Sequence, residues 1–567
     1  MTSDGQKAQF WYFLALALQD KNEMKKLVKL FNKINDILLR TFLPKSNRYA
    51  RMRIEKCTLR NGELELSGEV VCNFRVNSGT LILRKFREEK FAFPTKFLLS
   101  TPILDTIGWR ILGLLGVKKQ SFSLTVSAPW DSLPASIYGL SVQLGDVLCS
   151  IKKSEKCWYY CDDKRNRTFC LYVDPAVRAW RVEYFKLCSV EIAEVIKSGI
   201  SPRKDLGAIL FGEYTTTARD NAKTIFEWML NNRPEVRCFY VVEKDNVDRY
   251  PIGGRVLEYG SFEHLLACTE TSVCAFTHHR SYVYPYIIKM LAAERYNEAK
   301  TLFLQHGITA MKRSILKNYH KTRVDYSALC VCSMFEKEIF IENFGYQDEE
   351  VVVTGFPRID TLCIDSSDAI SSEQWALVFP TWRNGIEKLS SAEASDTNFV
   401  RLWISALDRL REIKGLRVRL ILHPMLNRHA ELFFPHVDEI GKTSQFQDFL
   451  RQSNCLITDY SSVSFDALYL DRPVFLYQFD QDEYGIRKDA FIDVDSQQPG
   501  DVFTDEVGLV DAVTNAIAEG WPFTQQAQRD MFFDHRDDNN CERVFSLIEV
   551  LAARRLNDRI TRVSEEV

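Results

Sequence analysis

The 567-residue sequence has no strong charge of either sign: its net charge is −3. It therefore lacks the basic footprint of a nucleic-acid-binding protein, and no nucleic-acid partner is expected. No uninterrupted apolar run approaches the roughly 18 residues of a spanning helix. Residues 10–18 are apolar, but only Lys7 precedes them and Asp20-Lys21 follows, which is not the pattern of a cleavable leader. The 15 cysteines are odd in number and scattered, so they do not form a disulfide framework, and a reducing, cytoplasmic setting is expected. Cys149, Cys157, Cys161 and Cys170 lie close together, but their spacing matches no standard zinc pattern. Asp493-Val494-Asp495 has the form of a metal-binding DxD, yet it stands after the last polar cluster. No metal or cofactor is expected. Internal repeats and low-complexity segments are absent as well.

What is there is a globular composition, 46% hydrophobic and 26% charged, in a chain long enough for about three or four domains. Residues 1–48 read as helical. Within residues 24–40, Leu27, Leu30, Phe31, Ile34, Ile37 and Leu38 share one face, and Lys25, Lys26, Lys29 and Lys33 occupy much of the rest. Such a helix either lies in an anionic membrane interface or is an ordinary helix with a solvated lysine face. Residues 49–175 carry short alternating runs between turn signals such as Asn61-Gly62, which predict a small antiparallel β domain. An apolar insertion at 97–117 is either a core helix pair or a hairpin that dips into lipid. Residues 176–204 read as a linker helix.

From residue 205 strands and helices alternate, the mark of an open, mostly parallel sheet. Strands are predicted at 206–211, 237–242, 255–258, 271–277, 301–304, 328–333 and 351–354. A second series begins after Gly355-Phe356-Pro357-Arg358, with strands at 376–379, 417–422, Cys455–Thr458 and Val474–Tyr477. The reading is α/β: two Rossmann-like lobes, 205–358 and 359–567, behind the helical segment and the β domain.

Polar clusters stand at the carboxyl ends of these strands, where open α/β sheets bind ligands. His306 follows a strand and precedes Gly307; an imidazole there can accept a hydroxyl proton, or serve as a buried structural histidine. His423 also ends a strand, with Arg428 five residues on. Together with Arg383 and the serines of Asp459-Tyr460-Ser461-Ser462 they would make a donor-rich, cationic pocket suited to a pyrophosphate. Taken singly, each arginine is an ordinary surface ion-pair partner. The serines are equally ordinary helix caps. Asp466, one helical turn further, can accept bonds from polyol hydroxyls or be a solvated helix charge.

At these residues the sequence resembles the CDP-glycerol glycerophosphotransferases that build teichoic-acid and related capsule backbones. The matching pieces are Gln305-His306-Gly307, Thr354 through Asp360 with Pro357 and Arg358, and Pro380-Thr381-Trp382-Arg383. They continue with His423-Pro424 and Arg428, then Thr458-Asp459-Tyr460-Ser461-Ser462 with Asp466, and Tyr477 through Tyr484, all in family order between about residues 205 and 550. Phe533-Asp534-His535 with Glu542-Arg543 looks like a degraded closing motif. Departures are Gln305, where many members have a bulky aromatic, and His535, where a glycine is usual.

The resemblance implies a fold of the glycosyltransferase B type, peripheral on the inner membrane face. It implies transfer of glycerol phosphate, or a related unit such as ribitol phosphate, from a CDP-linked donor to a hydroxyl of a growing polymer or lipid-linked primer, with release of CMP. His306 would be the base on the acceptor. His423 would be the second catalytic histidine, and with Arg383, Arg428, Thr458, Asp459, Ser461, Ser462 and Asp466 it would surround the donor, with Gly307, Pro357 and Arg358 nearby. The rival readings are a nucleotide-sugar glycosyltransferase of the same fold and a non-catalytic polymer-binding membrane protein.

Overall fold

The computed structural model describes residues 50–60, 63–72, 79–84, 90–99, 118–126, 136–144, 147–148, 150–151, 157–162, 166–174, 179–201, 207–244, 255–363 and 373–565. The predicted helical segment 1–48, Cys149 and most of the apolar insertion lie outside the described residues. Those that are described divide into two compact units.

The first unit is built on an 11-stranded sheet. Its pairings are antiparallel, except that Ser150–Ile151 runs parallel to the strand Ala50–Arg60. The antiparallel character follows the alternation predicted for it. The linker-helix reading of 176–204 is corrected, because Ala179–Phe185 is a strand paired with Arg167–Asp174 and the helix runs only over Ser189–Ile200. In that strand the apolar Val182 and Tyr184, both buried, alternate in sequence with Arg181 and Glu183, the period of a strand rather than a helix. Glu183, also buried, accepts hydrogen bonds from Tyr286 N (2.7 Å), Ile287 N (2.9 Å) and the Tyr172 hydroxyl (3.2 Å).

The second unit holds two parallel sheets. In the first lobe these are β1 (Ala208–Gly212), β2 (Cys238–Val242), β3 (Val256–Glu258), β4 (Thr271–Phe276), β5 (Lys300–Phe303), β6 (Ala328–Val331) and β7 (Val351–Val353). Their order is β3-β2-β1-β4-β5-β6-β7. The second lobe has β8 (Gln374–Phe379), β9 (Leu416–Ile421), β10 (Glu439–Gly441), β11 (Cys455–Thr458), β12 (Val474–Tyr477) and β13 (Asp501–Phe503), in the order β10-β9-β8-β11-β12-β13. Both are doubly wound orders, with the reversal between β1 and β4 and between β8 and β11. Central strands such as β4, β11 and β12 are buried at every residue, so they read as continuous apolar runs.

Helices cover the sheets. α1 (Asn221–Asn232) buries Ala222, Ile225, Phe226 and Met229 on one face. α2 is Pro357–Cys363, α3 Asn398–Glu412, α4 Val463–Tyr469 and α5 Asn540–Glu565. The last of these returns to the first lobe, where Val544, Phe545, Ile548 and Leu551 pack with Ile225, Phe226 and Val273. A further apolar cluster joins the lobes directly: Ile308, Met311, Phe356 and Ile359 pack with Leu377, Phe465 and Leu476.

Candidate active site

Both strand-order reversals carry polar groups. After β1, Glu213 is buried and accepts the backbone N–H groups of Arg219 (3.1 Å) and Asp220 (2.6 Å). This folds the loop so that Asp220 becomes the N-cap of α1, its Oδ1 accepting from Asn221 N at 2.8 Å. Asp220 Oδ2 is left to meet His306 Nδ1, and the two are hydrogen-bonded. The next residue ties three elements together. Asn221 Nδ2 donates to the carbonyls of Leu304 (3.2 Å) and Gln305 (3.0 Å), and its Oδ1 accepts from Arg358 N (3.0 Å).

His306 projects from a constrained turn. Gln305 has φ of 56°, left-handed for a residue with a side chain, and its buried amide holds that geometry. Nε2 donates to Cys330 O (2.6 Å) and Glu336 (3.2 Å), while Oε1 accepts from the Thr309 hydroxyl (2.9 Å). His306 is thereby pushed outward, its side chain 69% exposed, while its partner Asp220 is only 6% exposed.

Burial opposes ionisation of Asp220, but His306, Arg358 and His278 outweigh it and hold the carboxyl down to about 2. An ionised Asp220 must accept, so Nδ1 carries the proton and Nε2 is the lone-pair nitrogen, free to take a proton from a substrate hydroxyl. Asp220 also raises the imidazole pKa. The His278 ring lies 4.9 Å from that of His306 and 3.8 Å from Tyr214.

Across the cleft stands the serine turn. A Cβ on Gly307 would sit 3.5 Å from Ser462 Oγ, so the His306 turn and the Ser461-Ser462 turn face each other closely. Arg358, the second residue of α2, donates through Nη1 to Asp466 on α4, and its Nε lies 3.7 Å from Asp220 Oδ1. A charge chain thus runs from His306 through Asp220 and Arg358 to Asp466. Pro357 opens α2 at a position that needs no N–H.

The second-lobe candidates form a separate network. The guanidinium of Arg383 makes a two-pronged contact with Asp480 (2.7 and 3.0 Å), lies 2.9 Å from Asp459, and donates to Thr381 O (2.7 Å). Asp459 is buried and accepts from Thr381 N and Tyr460 N, both at 2.8 Å. Thr458 donates to Phe379 O at 2.5 Å. Tyr460 stacks on Tyr484 with centroids 3.8 Å apart. The ring of His423 lies 5.9 Å from Trp382, and exposed Arg428 donates to Glu387 O at 2.7 Å. Beside Arg383 is a cavity of about 890 Å³ lined by residues of both lobes, among them Lys312, Trp382, Phe399 and Tyr484.

The structure therefore brings His306, Gly307, Arg358, Ser462 and Asp466 together, and engages Arg383 with acids of its own lobe. Sequence reading missed Asp220, Asn221 and His278. An Asp-Asn pair ahead of an amphipathic helix is an N-cap signal, but it names no partner 86 residues away. Among the described residues, Asp220, His278 and His306 also form one group whose ligand atoms lie within 4.8 Å of one another, close enough to share a divalent ion. The direct His306–Asp220 bond already satisfies two of its three members.

Two doubly wound lobes with polar groups at their facing strand ends define a two-lobed, Rossmann-like α/β protein. Residues 197–550 match the family model for CDP-glycerol:poly(glycerophosphate) glycerophosphotransferase, and the chain belongs to that family. It is 26% identical over 360 residues to the minor teichoic acid biosynthesis protein GgaB of Bacillus subtilis, covering 60% of this chain and 39% of that protein. It is 24% identical to the teichoic acid poly(glycerol phosphate) polymerase of Staphylococcus epidermidis, covering 52% of this chain and 43% of the polymerase. The chain thus spans about two-fifths of the length of these relatives. A solved structure of the wall teichoic acid polymerase TagF superposes with a TM-score of 0.51 at 20% identity, over 65% of this chain and 94% of that one. At that identity the likeness concerns the fold.

Proposed function

We propose that this chain transfers a polyol phosphate, glycerol phosphate or ribitol phosphate, from a CDP-linked donor to a hydroxyl of a teichoic-acid-like or capsule polymer. The observation that carries the reading is the buried Asp220 fixing exposed His306 opposite Ser462. His306 Nε2 takes the acceptor proton, and the freed oxygen attacks the phosphorus nearest the polyol. The bond from that phosphorus to the bridging oxygen breaks, and CMP leaves with the electron pair. Positioning and charge neutralisation carry such a transfer. Ser461, Ser462, His423 and Arg428 take the donor pyrophosphate, while Thr458, Asp459 and Arg383 hold the wall behind them. Asp466 holds Arg358 at the cleft. The arrangement is of the glycosyltransferase B type, and family membership supports the chemistry.

Attachment to the inner membrane face, with a lipid-linked or polymeric acceptor, belongs to the same reading and rests on the basic amphipathic pattern of residues 24–40. No described helix is long and apolar enough to cross a membrane.

The test is mass analysis of products from CDP-glycerol, CDP-ribitol and UDP-sugars with short acceptors. CMP release with addition of one polyol phosphate per turnover is expected. Turnover of UDP-sugars alone would replace this reading with a glycosyltransferase, and no turnover of any donor would favour a binding protein.

A further inference from the structure

The cations around the inter-lobe cleft differ in one respect: whether their charge is already spent within the protein. Arg383 is held by Asp480 and Asp459, and Arg358 by Asp466 and Asp220. Lys312 lines the 890 Å³ cavity and forms no hydrogen bond or ion pair with any described residue.

Its backbone, by contrast, is clamped. Lys312 lies six residues after His306 on the same loop. On one side of it Ala310 O accepts from Phe491 N at 2.8 Å. On the other side Arg313 donates to Ala490 O at 2.6 Å, and Ser314 N and Oγ bond Asp489 at 2.7 and 3.1 Å. First-lobe residues thus grip the second lobe on both sides of Lys312, and the amine reaches the cavity from a fixed base. Packing, together with the nearby Arg383, lowers the lysine pKa; Asp489 and Asp459 work the other way.

The cavity is not uniformly cationic, since Asp482 and Glu483 line it too, as do the aromatic rings of Trp382, Phe399 and Tyr484. Those carboxylates would repel a bare anion. They suit a ligand that brings hydroxyl or amine donors along with its phosphates, and the rings suit a flat base.

We propose that Lys312 is a further ligand of the donor diphosphate that the Ser461-Ser462 turn takes, its ammonium supplying from the edge of this cavity the positive charge that Arg383 has committed to Asp480 and Asp459. This rests on the donor class proposed above. It adds that the loop bearing the base also bears a donor ligand, so that one clamped loop sets His306 and the diphosphate in place together.

The probe is CDP, titrated into the full chain by calorimetry at several salt concentrations, beside steady-state CMP release from CDP-glycerol and CDP-ribitol. Lys312→Met is expected to weaken CDP binding roughly ten- to a hundredfold. It should also reduce the salt dependence by about one charge and raise KM more than it lowers kcat. Lys312→Arg should recover most of the affinity and the salt slope, and both variants should melt like the wild type. CDP binding by Lys312→Met equal to wild type, or an affinity loss that Arg does not recover, would overturn the proposal. So would a wild-type chain that binds no CDP. If CDP binding depends on Lys312 while no CDP-polyol is turned over, the proposed reaction falls and the Lys312 assignment stands.

Discussion

Arg358 and Asp466 join the two lobes: the guanidinium at the start of α2 donates to the carboxylate on α4, and both side chains are largely buried. Burial works against the charge on Arg358, but Asp466 and then Asp220 hold the guanidinium protonated. Removing Arg358 leaves Asp466 charged and unpaired away from water, typically a loss of about 3–5 kcal/mol, while removing Asp466 leaves Arg358 only its 3.7 Å contact with Asp220. Arg358→Met and Asp466→Asn are each expected to lower the denaturant midpoint strongly. The double variant should lose less than the sum, which a double-mutant cycle measures. Lysine at 358 should not substitute, because a single ammonium cannot address Asp220 and Asp466 as a planar fork does.

The His306–Asp220 pair makes a kinetic prediction. His306→Ala should lower CMP release roughly 10²–10⁴-fold. Asp220→Asn should do comparable damage while leaving the imidazole in place, because the amide no longer demands a proton on Nδ1. Asp220 raises the His306 pKa above its ordinary 6.5, so the acid limb of the wild-type pH–rate profile should lie above that value and move down in Asp220→Asn.

The same pair contributes to stability with a defined sign. For Asp220, whose folded pKa is lowered from 3.8 to about 2, the contribution is present above 3.8 and lost as pH falls through 2. For His306, whose pKa is raised, it is present below 6.5 and lost as pH rises through the higher folded value. The stability gap between wild type and Asp220→Asn should therefore be widest between pH 4 and 6.5.

How far the sequence exposes this arrangement varies by element. β11 and β12 are legible to the residue because covered parallel strands are unbroken apolar runs. The edge strands β10 and β13 escape, being three residues each with no fully buried position, although the equally short edge strand β3 falls within the predicted 255–258. In Ala179–Phe185 the alternation of Trp180, Val182 and Tyr184 with Arg181 and Glu183 is a strand signal, and reading the run as one helix with Ser189–Ile200 overlooks it. At the site, His306 and the serines are legible from their places after strands. The occupancy of Arg383 is not, because Asp480 lies 97 residues further along the chain. A guanidinium reads alike in sequence whether it is free for phosphate or already committed.

Gly355 explains part of the motif it sits in. Its φ is +70°, and a Cβ there would fall 1.8 Å from Asn540 Oδ1. Asn540 opens α5, and its N–H and side-chain amide donate to Asp360, as does Cys541 N. Gly355→Ala should therefore cost more than about 1 kcal/mol in thermal or denaturant unfolding. Adding Asn540→Ala should relieve the clash without restoring stability, because it removes the amide donated to Asp360 and the left-handed backbone remains unfavourable for alanine.

Glu336 lies beneath the His306 turn and accepts three N–H groups: Thr309 N at 2.7 Å, Cys332 N at 2.8 Å and Gln305 Nε2 at 3.2 Å. Burial pushes its carboxyl up to about 7 against those bonds. The folded chain thus keeps a proton that the unfolded chain gives up near 4.5, so this contribution is present below 4.5 and lost as pH rises through 7. Glu183 and Glu213 are raised to the same region, and the three together should make stability fall across that interval. Glu336→Gln removes one of them, so its stability should vary less steeply with pH from 4.5 to 7. The amide also aims its NH₂ at a backbone N–H, which should cost about 1–3 kcal/mol near neutral pH. Because Gln305 and Thr309 are both held by this carboxylate, kcat should fall with stability. A variant that unfolded more easily yet kept full kcat would show that Glu336 supports the lobe without setting the His306 turn.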